Sequence, residues 1–470
     1  MLKKYECDVC GHLYDEGNEK KRFNEEPDDW ACPVCASDKT QFKPKEERAS
    51  ANINVEEKAG DTEEYLSQWR RTSDDFETHM ADVHAIAETG QSISEPMRTR
   101  VKSISWDDIL IKGAQLAKRP LDAKEPVNTQ TVIGPRAQQP LVIENPIYVT
   151  HMSFGALSRE AKIALAKGSA FAKTAMCSGE GGILPESLDN AYKYIFEYVP
   201  NKYSLTDEYL SRVDAVEIKI GQSAKPGMGG HLPGNKVTKE IAEIRGFPEG
   251  TDITSPPHFK DIKNKDDLKK VVSSLREKTS GKPIGIKLAA GNIEADIEIA
   301  LFAKPDFITI DGRAGATGSA HKFVKASASV PTIFALYRAR KFLDSKGADN
   351  VSLLITGGFR VSPDFAKAIA LGADAVAIGT AALMALGCQQ YRICNTGKCP
   401  IGITSQNPEL RSRLDINKSA KRVENFLKVS KEELADFARL TGNKDIHDLS
   451  IEDLCTVNSE ISNYTAIEHV

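Results

Sequence analysis

Residues 351–403, VSLLITGGFRVSPDFAKAIALGADAVAIGTAALMALGCQQYRICNTGKCPIGI, decide how the chain folds. The first half reads as an apolar β-run ending in Gly357-Gly358, a helix from about Pro363 to Leu371, and a second β-run ending in Gly379-Thr380 with another helix behind it. Two glycine-ended strands that feed helices make an anion site, because backbone N–H groups and helix N-termini converge on one point. The second half sets Cys388, Cys394 and Cys399 in a C-x5-C-x4-C array ending in Cys-Pro. Three closely spaced thiolates beside a phosphate site suggest an iron–sulfur cluster next to a phosphorylated redox cofactor.

Outward from this stretch, short β-branched or apolar runs occur at 147–150, 174–177, 194–199, 215–220, 284–289, 307–311, 351–356 and 375–379. Most are separated by helical patterns such as 158–171, 266–278 and 293–303. This alternation predicts an α/β fold, a (β/α)8 TIM barrel over residues 146–402, rather than an open doubly wound sheet. Barrels commonly hold phosphate at the loops after strands seven and eight, where Gly357-Gly358 and Gly379-Thr380 fall. The other strand ends carry candidate chemistry. Met152-Ser153-Phe154-Gly155, after strand one, is small enough in places for backbone amides to approach a flat ring. Glu180 follows strand two among glycines, as a proton donor or a plain loop charge, and Gln222 follows strand four. Lys287, near the end of strand five, can sit beside the N1/O2 edge of a flavin and stabilise the reduced ring. Arg313, in the glycine-rich loop after strand six, can clamp a carboxylate or be a surface arginine. Cys177 and Cys455 read as buried small apolar residues.

At 470 residues the chain exceeds one ordinary domain. A net charge of -4 without a basic, aromatic-interleaved run argues against nucleic-acid binding, and no stretch is apolar enough to span a bilayer. The N-terminus does not read as a signal peptide, so a cytoplasmic protein is expected. Seven of the nine cysteines fall in tight arrays, which favours metal ligation over disulfides.

The first array is Cys7, Cys10, Cys32 and Cys35, two Cys-x2-Cys pairs within residues 1–45. Each pair aims two sulfurs at one tetrahedral metal. With Tyr5, Tyr14-Asp15, Asp28-Asp29-Trp30 and Cys32-Pro33-Val34-Cys35 around them, residues 1–45 resemble a rubredoxin, which implies iron; zinc is the alternative on spacing alone. Residues 46–64 are charged and poor in large apolar groups, as a linker is. Residues 65–145 read as a helical and extended lead-in. Apolar residues recur at helical spacing from Leu66 to Ile86, a further helix is expected over 107–117, and a Pro-, Gln- and Thr-rich extended segment over 120–144. Residues 403–470 read as a helical extension.

From about Ile104 onward the chain resembles the FMN-binding synthase domain of glutamate synthase, in its free-standing archaeal-type form. The resemblance rests on HMSFGALS (151–158), SGEGG (178–182), EIKIGQSAKPGMGGHLPG (217–234), SPPH (255–258), GIKLAAG (285–291) and CQQYRICNTGKCPIGI (388–403). It implies FMN in the barrel and a 3Fe-4S cluster on Cys388, Cys394 and Cys399, with 4Fe-4S as the alternative. It further implies transfer of electrons to 2-iminoglutarate, formed from 2-oxoglutarate and ammonia, to give glutamate. The rubredoxin-like part would be the port for single electrons, docking near the cluster. Leu2 and the rubredoxin stand where large members carry a glutaminase with an N-terminal cysteine nucleophile, so ammonia is expected from a separate glutaminase subunit or from free ammonium. An electron-donor protein and an oligomer or complex are expected partners. Four positions depart from the pattern of many members: Arg313 and Ala314 replace a histidine and an aspartate, no glutamate follows Lys287 closely, and Asn395 replaces a histidine. An FMN and iron–sulfur oxidoreductase acting on another oxo acid or amine, or an electron-transfer subunit, are the alternatives.

Overall fold

A computed structural model describes residues 3–8, 12–19, 21–34, 37–44, 67–69 and 71–470. The chain divides into two units, Met1–Glu95 and Pro96–Val470.

In the first unit, Lys4–Cys7 pairs antiparallel with Leu13–Asp15 on one side and Phe42–Pro44 on the other. So small a sheet cannot bury a thick aliphatic core, and aromatic rings fill it instead. Tyr5 stacks on Phe23 with ring centroids 4.3 Å apart, and Trp30 meets Tyr14 and Phe42 edge-on at 5.4 and 5.2 Å. Tyr14 donates its hydroxyl to Glu26 Oε1 at 2.9 Å.

The second unit is a closed barrel of eight parallel strands. They are β1 (Ile147–Val149), β2 (Ala175–Cys177), β3 (Lys193–Tyr198), β4 (Ala215–Lys219), β5 (Ile284–Ala289), β6 (Phe307–Asp311), β7 (Ser352–Thr356) and β8 (Ala375–Ile378), each beside its sequence neighbour, with β8 closing on β1. All eight expected runs are barrel strands. The principal helices are α1 (Arg159–Phe171), α2 (Lys265–Lys278), α3 (Ile293–Phe302), α4 (Thr332–Ser345), α5 (Ser362–Ala370), α6 (Thr380–Leu386) and α7 (Ile416–Leu440). Side-chain oxygens start several of them: Ser158 accepts from Ala161 N, Asn264 from Asp266 N and Asp267 N, and Asp415 from Lys418 N.

Strand alternation sorts the core into two layers. Val216, Ile218, Ile308, Ile310, Leu353 and Ile355 pack outward against the helices. Tyr148, Ala175, Cys177, Ile195, Ala215, Phe307, Leu354 and Ala375 share a separate cluster with Ile133, Leu141 and Ile143. Those last three belong to a hairpin, Thr131–Ile133 with Leu141–Ile143, so the expected extended segment plugs the N-terminal end of the barrel.

Two expectations for the lead-in change. Residues 107–117 are not a helix: a single turn at Trp106–Asp108 leads into the strand Ile109–Ile111, which pairs with Leu454–Thr456. The β-branched isoleucines sit on either side of an exposed Leu110, and a partner strand far along the chain decides the matter by tertiary pairing. In the 65–90 stretch, among the described residues, residues 67–68 and Met80–Thr89 are helical, and Trp69 and Phe76, 69% and 94% exposed, build no buried face. Linker residues 46–64 lie outside the described residues.

Candidate active site at the barrel mouth

The inner face of the barrel changes character toward its C-terminal end. Above the apolar layer, alternation brings Glu197 from β3, Glu217 and Lys219 from β4, Lys287 from β5, and Thr309 and Asp311 from β6 into the interior. Glu197, Glu217, Lys287, Thr309 and Asp311 are all buried. Lys287 Nζ lies 3.9 Å from Glu197 Oε1. Burial pulls its pKa down, but Glu197, Asp311 and Glu217 outweigh burial and raise it, so Lys287 is an ammonium. Thr309 donates its hydroxyl to Glu217. His151, just past β1, completes the group: Gly179 N–H donates to its Nδ1 at 3.2 Å, and its Nε2 lies 2.8 Å from Glu217 Oε2, off the N–H axis. Ligand atoms of His151, Glu197 and Glu217 fall within 4.8 Å of one another. The Gly179 amide nevertheless fixes the ring proton on Nε2, which removes the lone pair a metal would need there. The grouping is a charge network beneath the mouth.

At the rim, Glu180 and Lys219 form an ion pair. Burial works to raise the Glu180 pKa, but the Lys219 ammonium and its hydrogen bond win and hold it at about 2. An anionic Glu180 therefore fixes Lys219 and carries no proton to donate. Ser223 donates to Asp311 Oδ1 at 2.7 Å, tying the β4 loop to the end of β6, and half-buried Gln222 stands beside it. Lys225 donates to Gly229 O at 2.8 Å.

The loop after β1 is held from three sides. Phe154 is wholly buried and its carbonyl accepts from Arg245 Nη2 at 2.6 Å. Gln406 Nε2 donates to Gly155 O and Leu157 O, which brings the segment behind the cysteine array against this loop. Gly179 has φ +80°, and a Cβ there would lie 2.4 Å from Met152 C, so the β1 and β2 loops touch through bare backbone.

At the ends of β7 and β8, Gly357 and Gly358 have φ +118° and +96°, and Gly379 caps α6, whose first residue is Thr380. A Cβ on Gly357 would meet Gly312 O at 2.4 Å. Two residues on, Arg360 is desolvated: burial first, then Arg98 nearby, pull its guanidinium pKa to about 10, while Asp364 spends one oxygen on the Arg360 and Val361 amides. A desolvated guanidinium at the head of a glycine cradle fits a phosphate. Arg313 faces differently. Its guanidinium donates to the carbonyls of Ala326 and Ala328, so it fastens the β6 loop to itself and has fewer donors for a substrate carboxylate.

Cys388, Cys394 and Cys399 line one pocket with Met97, Leu383, Ile393, Ile401 and Ile403. Cys388 Sγ accepts from Gln390 N at 3.4 Å and Gln390 Nε2 at 3.2 Å. Gln390 and Arg392 both take positive φ, near +60°, to make the tight loop. Lys236, buried, donates to Cys394 O at 3.3 Å and sets a basic side chain beside the cysteines, though burial pulls its pKa to about 8. Three sulfurs in an apolar wall, with N–H donors and a lysine behind them, fit an iron–sulfur cluster. In the first unit Cys7 and Cys32 are buried, and their amides are held by His12 O and Ser37 O, each at 2.8 Å. Cys10 and Cys35 lie outside the described residues.

A family model described as the conserved region in glutamate synthase matches residues 80–444, most of the chain. The chain belongs to the glutamate synthase family. As a member of it, the chain is an oxidoreductase. A rubredoxin family model matches residues 4–42. The chain is similar to a "glutamate synthase large subunit-like protein" of Rhizobium meliloti, 36% identical over 83% of this chain and 92% of that one. It is similar also to an "archaeal glutamate synthase (NADPH)" of Methanocaldococcus jannaschii, 36% identical over 78% of each. An "archaeal-type glutamate synthase (NADPH)" of Dehalococcoides mccartyi is 38% identical over 74% of this chain and 73% of its own. Among the described residues, no helix is long and apolar enough to cross a membrane.

For this glutamate synthase family member, sequence reasoning missed His151, Glu197, Glu217, Lys219, Arg360, Lys236 and Lys162, the last a wholly buried α1 lysine that donates to Met152 O and Cys177 O behind the β1 and β2 loops. The strand acids and Lys219 had a signal: charged residues alternating with Ile and Val inside an otherwise apolar run face a barrel interior. His151, Arg360 and the two lysines had none, because what they contact comes from other elements.

Proposed function

We propose that the barrel mouth binds FMN and reduces 2-iminoglutarate, formed from 2-oxoglutarate and ammonia, to glutamate. In this reading Gly357, Gly358, Gly379 and Thr380 hold the phosphate through backbone N–H groups, with Arg360 as its counter-ion. Met152, Ser153, Phe154 and Gly155 support the ring, Gln222 lies at its side, and the Lys287 ammonium stabilises negative charge on the reduced flavin. Flavin supplies the conversion of one-electron input into a hydride step. Lys219, oriented by Glu180, is placed to bind a carboxylate of the oxo acid. Arg313 is the other cation for that role, at the cost of its carbonyl contacts.

Cys388, Cys394 and Cys399 would hold a 3Fe-4S cluster, and Cys7, Cys10, Cys32 and Cys35 one iron that receives single electrons from a donor protein. Ammonia would come from a separate glutaminase subunit or from free ammonium. The observation that carries the reading is α6: its first turn starts at Gly379-Thr380, and Cys388 follows its last. At seven residues it spans about 10 Å, so the phosphate cradle and the cysteine pocket are two ends of one short rod.

Anaerobic titration of the purified chain with reductant, followed spectrally, tests this. Flavin and two classes of iron signal should appear, and the reduced flavin should reoxidise only when 2-oxoglutarate and ammonium are both added. Flavin that stays reduced with both present would exclude these substrates.

A further inference from the structure

Lys162 lies in the first turn of α1, between buried Ala161 and Ala164, and is itself 0% exposed. A lysine is almost never wholly buried without partners. Its ammonium has three donors, and it spends them on three carbonyls: Met152 O at 3.0 Å, Cys177 O at 3.1 Å and Ser178 O at 2.7 Å. Met152 opens the loop after β1, Cys177 ends β2, and Ser178 follows it just before Glu180. The next amide, Gly179 N–H, holds His151, and Glu180 holds Lys219. One buried cation therefore stands behind both loops of the mouth.

We propose that Lys162 is a positioning residue that sets the geometry of the barrel mouth, its ammonium tying the β1 and β2 loops together and loosening them when it loses its proton. The inference rests on the flavin reading for its consequence, because the loop it ties is the one assigned to the ring. An amine has two N–H donors and a lone pair, so it cannot satisfy three carbonyls, and the repulsion falls where the two loops meet through Gly179 and Met152. The change occurs in a physiological range: burial pulls the pKa of Lys162 to about 7, against Cys177 on β2 and Glu197 on β3, the charged or titratable groups that raise it.

Amide hydrogen exchange of the full chain between pH 6 and 9, corrected for intrinsic rates, tests the tie directly. Peptides covering 152–157 and 178–182 should lose protection on the order of tenfold as pH rises through neutrality. Lys162→Arg, which keeps its proton, should stay protected to pH 9, and Lys162→Met should be loose throughout. Wild-type protection independent of pH would overturn the proposal without need of any variant, as would Lys162→Met protected like wild type. Flavin fluorescence in the same samples separates the two readings: loops that loosen while no bound flavin is present or disturbed would leave the tie intact and sink the flavin assignment.

Discussion

The two halves of the barrel interior are built from the same eight strands and do opposite things. Toward the N-terminal end, Tyr148, Ala175, Ile195, Ala215, Phe307 and Leu354 pack with the Thr131–Ile133 and Leu141–Ile143 hairpin and hold no charge. Two to four residues further along the strands, Glu197, Glu217, Lys287 and Asp311 fill the buried interior instead. Apolar layers gain free energy from burial, whereas buried charges gain little beyond their own desolvation. The lower half stabilises; the upper half contributes little to stability, and its charges compensate one another so that the fold tolerates them.

Removing a single charge from the upper half should break that balance most strongly. Lys287→Met takes the buried ammonium away from Glu197, with Asp311 and Glu217 nearby, and should cost about 3–5 kcal/mol in denaturant unfolding, with loss of turnover. Adding Glu197→Gln should recover part of the stability and none of the turnover. Full additivity of the two changes would dissolve the network. Phe307→Ala, in the lower half, should cost a similar roughly 3–5 kcal/mol through the cavity it leaves, yet folded molecules should keep their flavin content and kcat. A kcat that falls with it would mean that the two halves are not separable.

The rim gives a smaller, pH-resolved effect. Glu180 has its pKa lowered from 4.5 to about 2 in the folded chain, so its contribution is fully present above pH 4.5 and is lost as pH falls toward 2. That contribution is on the order of 3 kcal/mol. The advantage of wild type over Glu180→Gln in unfolding free energy should shrink across that window, and the activity profile between pH 5 and 9 should carry no limb from Glu180. Smallest of all, Arg313→Lys should cost about 1–2 kcal/mol, because its contacts are carbonyls of its own loop. A large rise in KM for the oxo acid with little change in stability would restore Arg313 as a substrate clamp.

The barrel was legible because each strand carries its own signal: an apolar run, a helix after it, and glycines where β7 and β8 end. Cys388, Cys394 and Cys399 were legible as a group from their short spacing, and they do line one pocket. The strand over Ile109–Ile111 was not, since its partner Leu454–Thr456 is remote in the chain and only pairing makes it a strand. Nor was the division of labour among the charges. Sequence put Glu180 and Arg313 at the mouth and left each two roles. The fold set Glu180 against Lys219 and turned Arg313 onto Ala326 and Ala328. Local sequence determines periodicity, turns and ligand spacing, which act over a few residues. The state of a buried charge depends on groups brought from other strands at 3–4 Å, a distance that matters only once water has been excluded, and that is what the tertiary structure alone decided for Lys287, His151 and Lys162.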